Sequence, residues 1–236
     1  MPPGRRCAPG PRVPDVQEAF RICPYSSRVT TPEPTGRIHR LRHTNAWIFT
    51  TMLVSALLSL TASLVLSADA IVLAANPDAT LACDISAAIS CGTVGQAWQS
   101  SLLGFPNAFL GLMAEPVVIT IAVASLGGVR FPRWFMVSAQ AVYTIGVIFA
   151  YWLFYQSMFV IGALCPWCLL VTVSTTLVFT TLSHVNIRDG NLPLPPRVLA
   201  KARALIAADV DAIGVAAWLV FLAAAIIAAY GPSLFG

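Results

Sequence analysis

The chain has 236 residues, of which 57% are hydrophobic and only 10% charged. Soluble globular chains carry roughly a quarter charged residues, so these proportions, with a mean hydropathy of +0.77, exclude an ordinary water-soluble fold. The net charge of +4 would suit an acidic partner, but no phosphate-cradling glycine loop and no nucleic-acid module accompanies it. A binding protein for nucleic acid is therefore excluded as well.

Residues 1–44 are polar, rich in Pro and Arg and without helical periodicity, and read as a disordered basic tail. The apolar run after them exceeds the 7–15 or so residues of a secretory signal. Although Ala68-Asp69-Ala70 mimics a cleavage site, a membrane span fits that run better, since a span needs about 20 mostly apolar residues. The first span is expected over about 47–73. A polar connection, 76–105, follows with Cys83, Asp84 and Cys91, and a short interfacial helix is expected near 94–103 with Trp98 at headgroup depth. The second span is expected over about 106–126, with Pro106 in its first turn, where a missing N–H costs nothing. A tight connector containing Arg130 and Arg133 leads to a third span, which begins near 134 and ends before Cys165. That length requires tilt, a kink or protrusion. Cys165-Pro166-Trp167-Cys168 opens the fourth span, ending near 182. Residues 183–208 form a polar, Pro-rich linker, and the fifth span covers about 212–230. A very short tail follows it, with no room for a further soluble domain.

All 14 Lys and Arg fall on one side of this five-span chain. The arginines from Arg5 to Arg42 precede the first span, Arg130 and Arg133 join spans two and three, and Arg188, Arg197, Lys201 and Arg203 join spans four and five. Cytoplasmic loops carry the excess of Lys and Arg. The N-terminus is therefore expected in the cytoplasm, the protein in the cell membrane, and both the 76–105 loop and the turn at 165–168 outside. A wrong span count would scatter these charges.

Six cysteines are present. Cys7 and Cys23 lie in the basic tail, where cytoplasmic thiols stay reduced, and read as spare thiols. The other four lie at the outer face, where disulfides persist. A C-x-x-C at a helix start puts Cys165 at the mouth and Cys168 one turn inward, and the helix terminus favours the thiolate that attacks disulfides. Cys168 would then face the apolar interior, where a lipid-soluble acceptor can dock. Cys83 and Cys91, eight apart in a flexible loop, can close a disulfide if the loop turns back, and are exposed enough to meet a protein partner. A purely structural staple at 83/91 and a four-thiolate zinc site compete with this reading, although no His lies on the outer side to help a metal.

These residues, Cys83-Asp84, Ser90-Cys91-Gly92, then Gly104-Phe105-Pro106-Asn107-Ala108-Phe109-Leu110-Gly111, then Cys165-Pro166-Trp167-Cys168, resemble the vitamin K epoxide reductase family in its bacterial disulfide-forming branch. The resemblance covers about 45–185. It implies an all-α integral membrane fold, with a four-helix core around a quinone (menaquinone or ubiquinone) and a fifth transmembrane helix. It divides the chain into a tail (1–44), a catalytic core with its outward loop (45–185), and a cytoplasmic linker with the fifth helix (186–236). It also implies a relay in which a partner's thiolate attacks Cys83, Cys91 then attacks Cys165, and Cys168 reduces the quinone. The implied partner is a separate, DsbA-like thioredoxin-fold thiol oxidase. Asn107 matches the family's asparagine that hydrogen-bonds a quinone carbonyl, beside the plainer reading that it satisfies nearby backbone. Two positions depart from relatives: Thr172 stands where some have a quinone-reaching Tyr, and Ala97 where many have Ser or Thr.

Of the remaining polar groups, Glu115 in the second span reads as a hydrogen-bonded buried acid beside Pro116, with proton supply to the quinone as the functional alternative. Gln140 and Tyr143 are expected to line the same cavity or to tie helices together. Asp69 is expected to be solvated at the outer end of span one, and His39, His43 and His184 to lack a catalytic role. Trp98, Phe105 and Phe109 are candidates for covering the quinone ring. The expected function is a thiol:quinone oxidoreductase. The alternative is a non-catalytic membrane scaffold with structural outer disulfides.

Overall fold

The computed structural model describes residues 43–235; most of the basic tail, with Cys7, Cys23 and His39, lies outside them. Helix α1 spans Asn45–Ala75, a short α2 spans Cys91–Gln96, α3 spans Ala108–Leu126, α4 spans Arg133–Gln156, α5 spans Pro166–Asp189, α6 spans Pro196–Ala207 and α7 spans Val210–Phe235. Five of these are long and apolar enough to cross a membrane, with α4 continued to Ile161 by one π-helical turn. The protein is thus an all-α, multi-pass membrane protein with five spans, as the apolar runs indicate. The 30 or so residues of the third span are accommodated by that π turn, which ends at Gly162 with φ of 75°.

In lipid there is little hydrophobic drive to bring helices together, so close van der Waals packing and interhelical hydrogen bonds must do it. Helix α1 starts at Thr44, whose side chain accepts from the Trp47 N–H. It then presents a buried stripe of small residues, Ser55, Ser59, Ser63 and Ser67. The four-residue spacing puts them on one face. Gly111 of α3 approaches this stripe so closely that any β-carbon there would collide with the Ser63 side chain. Helix α1 packs mainly on α3 and α5, and α5 packs on α4. At the basic end these four helices close a core that includes Met52, Ile121, Met136, Val178 and Leu182.

Further along α3, Glu115 is buried and accepts from the Ser59 hydroxyl at 2.7 Å and the Tyr143 hydroxyl at 2.8 Å, which ties α3 to α1 and α4. Gln140 donates to Ser183 at 2.9 Å and accepts from Asn186 at 3.1 Å, joining α4 to α5.

The region expected as a polar linker over 183–208 is largely helical. Helix α5 runs on to Asp189 and stops at Gly190, whose φ of 71° suits a glycine. Helix α6 begins with Pro196 at its first position. The polar residues Ser183, His184, Asn186, Arg188 and Asp189 hide this continuation from a hydropathy reading, although Asn186 is buried and donates to the Met136 carbonyl. At the basic end, His184 pairs with Asp211 at 2.8 Å and His43 with Asp209 at 3.1 Å, so both histidines fasten the start of α7 to the bundle. The other end of α7 packs Tyr230 against Ala88, Met158 and Leu164, and its hydroxyl donates to the Met158 carbonyl at 2.9 Å.

Candidate functional site

The connection between α1 and α3 is built around one aspartate. Asp84 accepts from the Gly92 N–H and the Ser90 hydroxyl, both at 2.8 Å, through one oxygen, and from the Leu81 N–H at 2.8 Å through the other. The Gly92 and Leu81 N–H groups, in that order, hold its carboxyl below the ordinary range. Ser90 caps α2 by accepting from the Thr93 N–H. This fold-back brings the Cys83 and Cys91 α-carbons to 5.6 Å, and the two sulfurs are joined; both cysteines are buried rather than exposed as expected, because the loop folds back over α1 and against the turn before α5. Residue 92 must be glycine-sized, because a β-carbon there would press on the Asp84 carboxylate.

The connector is then locked to the turn before α5. The Ser90 N–H donates to the Leu164 carbonyl at 3.1 Å and the Leu164 N–H to the Ala88 carbonyl at 2.9 Å. This is a single parallel bridge between Ile89 and Leu164. It sets the register that puts Cys91 beside Cys165, with the two sulfurs 3.4 Å apart. Cys165 caps α5, its sulfur receiving the Cys168 N–H at 3.3 Å, with Pro166 next at the first helical position. Its thiol is held below the ordinary cysteine value. The Cys168 thiol bonding to it is the main cause, with the Cys168 and Trp167 N–H groups assisting against burial and the charge of Asp69. Cys165 and Cys168 are free thiols, so one pair is oxidised and the other reduced.

Cys91, Cys165 and Cys168 form part of the wall of a mainly apolar cavity of about 1270 Å³ between the spans, which reaches down to Ser59, Glu115 and Tyr143. Asn107 stands in the same wall just before α3. Its Nδ2 donates to the Gln99 carbonyl at 2.6 Å, which fixes the amide's orientation, and its buried Oδ1 has no partner. A buried orphan acceptor calls for a ligand or water, and in an apolar slot beside a dithiol it fits a hydroxyl of a quinol. The second Nδ2 hydrogen is suited to the carbonyl of the oxidised ring.

Two further expectations are revised by the geometry. Trp98, Phe105 and Phe109 do not line the cavity; Phe135, Tyr143, Phe149 and Phe154 do. Trp98 is 64% exposed, which suits an interface anchor. Thr172, which departs from the tyrosine of some relatives, lines the cavity, and its hydroxyl proton is committed to the Cys168 carbonyl at 2.9 Å. Asp69 is not a solvated terminal group but half-buried in the cavity wall, with a carboxylate oxygen 4.0 Å from the Cys83 sulfur. An acid inside an apolar span is the feature of the sequence that signals such a placement. The Asp69 oxygen and the Cys83 and Cys91 sulfurs lie within 4.8 Å of one another. Two sulfurs bonded to each other are not thiolates, so this trio offers no metal site while the disulfide is closed.

Among known families, the sequence model of the vitamin K epoxide reductase family matches residues 50–183, which run from within α1 to within α5 and include Cys83, Cys91, Cys165 and Cys168. A comparison with curated proteins finds no match.

Proposed function

The chain belongs to the vitamin K epoxide reductase family, a family of membrane thiol–disulfide oxidoreductases linked to quinones, and from that premise we propose that it reoxidises a separate extracytoplasmic thioredoxin-fold thiol oxidase and passes the two electrons to a membrane quinone, menaquinone or ubiquinone. The N-terminus is cytoplasmic in this reading, and the four cysteines face the other side of the cell membrane. The observation that carries it is the 3.4 Å between the Cys91 and Cys165 sulfurs, the distance across which a thiolate attacks a disulfide.

In the proposed relay the partner's thiolate attacks Cys83, Cys91 leaves, and the partner's second thiol closes its own disulfide. Cys91 next attacks Cys165, Cys168 leaves as thiolate, and Cys83 takes Cys91 back, so the electron pair comes to rest on Cys165 and Cys168. A bound quinone supplies an acceptor for two electrons and two protons. This chain's share is to present Cys168 to the cavity, to offer Asn107 to the ring oxygens, and to exclude water with apolar walls. The lowered thiol of Cys165 gives it more thiolate character than an ordinary cysteine has. The core of the proposed machinery is 45–185, with 186–236 serving as linker and brace.

The reading is tested by replacing Cys91 with Ala, which leaves Cys83 unable to regain its internal partner. Co-purification should then yield a mixed disulfide between Cys83 and a thioredoxin-fold protein. A scaffold with structural disulfides gives no such adduct.

A further inference from the structure

We propose that Asp69 is the general base that takes the proton from the Cys83 thiol when Cys83 resolves the transient Cys91–Cys165 disulfide. This rests on the relay above and adds to it a residue that the cysteine order leaves out.

The geometry is specific. Asp69 sits near the end of the long helix α1, and its carboxylate oxygen lies 4.0 Å from the Cys83 sulfur. Among the described residues no Lys, Arg or His forms an ion pair with it, and no other side-chain hydrogen bond engages it. An acid inside an apolar span without a cation needs a reason to be there. Asp69 also lines the cavity with Cys91, Cys165 and Cys168.

The chemistry needs a base at this point. Cys83 as a thiol is a poor nucleophile, and the thiolate is the form that attacks. Cys83 is 8% exposed, so bulk water is a poor acceptor for its proton. In the step, the Cys83 sulfur bonds to Cys91 and the Cys91–Cys165 bond breaks. The electron pair leaves on Cys165 as a thiolate, and the Cys83 proton passes to Asp69. Cys165 is a good leaving group because its thiol is held low. The proton then rests on the wall of the cavity in which quinone reduction consumes protons.

The test uses the full chain in detergent, oxidised with a short-chain ubiquinone analogue and then given one equivalent of dithiothreitol. Samples are quenched with acid, alkylated and digested, and the Cys91–Cys165-linked peptide is followed by mass spectrometry. In Asp69→Asn its decay should slow by about 10²-fold at neutral pH, the lower end of general-base effects. Asp69→Glu should restore most of the rate. Raising the pH should also rescue Asp69→Asn, because Cys83 then ionises unaided; the titratable groups around Asp69 are Asp84 and the cysteines themselves, and none adds positive charge. Decay of Asp69→Asn at the wild-type rate overturns the proposal. If that variant fails to fold, Asp69→Ser and Asp69→Glu carry the same comparison, and equal decay in the two overturns it. Cys83→Ser separates this from the relay itself, since it should hold the Cys91–Cys165 species indefinitely. If Cys83→Ser collects none, the relay fails. If it collects the species while Asp69→Asn decays normally, only the role of Asp69 falls.

Discussion

Cys168→Ala is expected to abolish quinone reduction, lowering turnover by roughly 10³-fold or more, as loss of a reacting nucleophile does. Cys165 would keep its place at the start of α5, but a single thiol cannot deliver an electron pair and close a disulfide. The pH behaviour of Cys165 gives a second readout. The Cys168 thiol is the main cause of its lowered value, so Cys168→Ala should move the pH midpoint of Cys165 alkylation upward. Wild-type Cys165 should react at lower pH than an ordinary cysteine, and the variant should lose that advantage. Quinone absorbance with reduced dithiol as donor, together with alkylation rates between pH 5 and 9, provides both measurements. Retained turnover contradicts the assignment of Cys168.

Asn107→Leu carries the next largest effect. Leucine keeps the branched shape and heavy-atom count of asparagine, though it is bulkier, and has neither the amide hydrogens nor the orphaned Oδ1, so the Gln99 carbonyl would lose its donor. Removing a single oriented donor from a water-excluded site costs about 10²-fold or more in rate. Quinone reduction should fall by that factor, and binding of a quinone analogue, followed by tryptophan quenching, should weaken. Reduction of the 83–91 disulfide by added dithiol should be unchanged, because Asn107 takes no part in sulfur exchange. A variant with full quinone turnover would leave Asn107 as a backbone tie to Gln99 and nothing more.

The sequence makes the span count legible because each crossing needs a long apolar run, and five such runs separate the charges cleanly. The cysteine pairs are legible because C-x-x-C at a helix start has a mechanism attached to it. What spacing alone leaves hidden is the contact between the pairs. The bridge between Ile89 and Leu164 joins segments 75 residues apart in the chain through backbone groups, and backbone pairing of that kind leaves no trace in residue type. Asp69 shows the opposite failure: the residue was visible, but its partner could not be, because the return of the loop over α1 depends on Asp84 gathering three donors. The end of α5 is hidden for a local reason: Ser183, His184, Asn186, Arg188 and Asp189 have the polarity of a linker, yet His184 and Asn186 are buried and paired with Asp211 and Gln140.

The scaffold alternative and the relay share the same disulfide and differ in whether electrons leave it. A structural staple has no use for a third sulfur within reach. Here the third sulfur is Cys165, buried and free, capping the helix that leads to the cavity. The same placement suits a thiol that alternates between two partners, Cys168 and Cys91.

The most direct test of that central contact is the double variant Cys83→Ser/Cys168→Ser, in which Cys91 and Cys165 are the remaining pair of the four. Under mild oxidation in the membrane, their linked peptide should become the dominant species by mass spectrometry. Persistence of both thiols in alkylatable form under the same conditions would contradict the account.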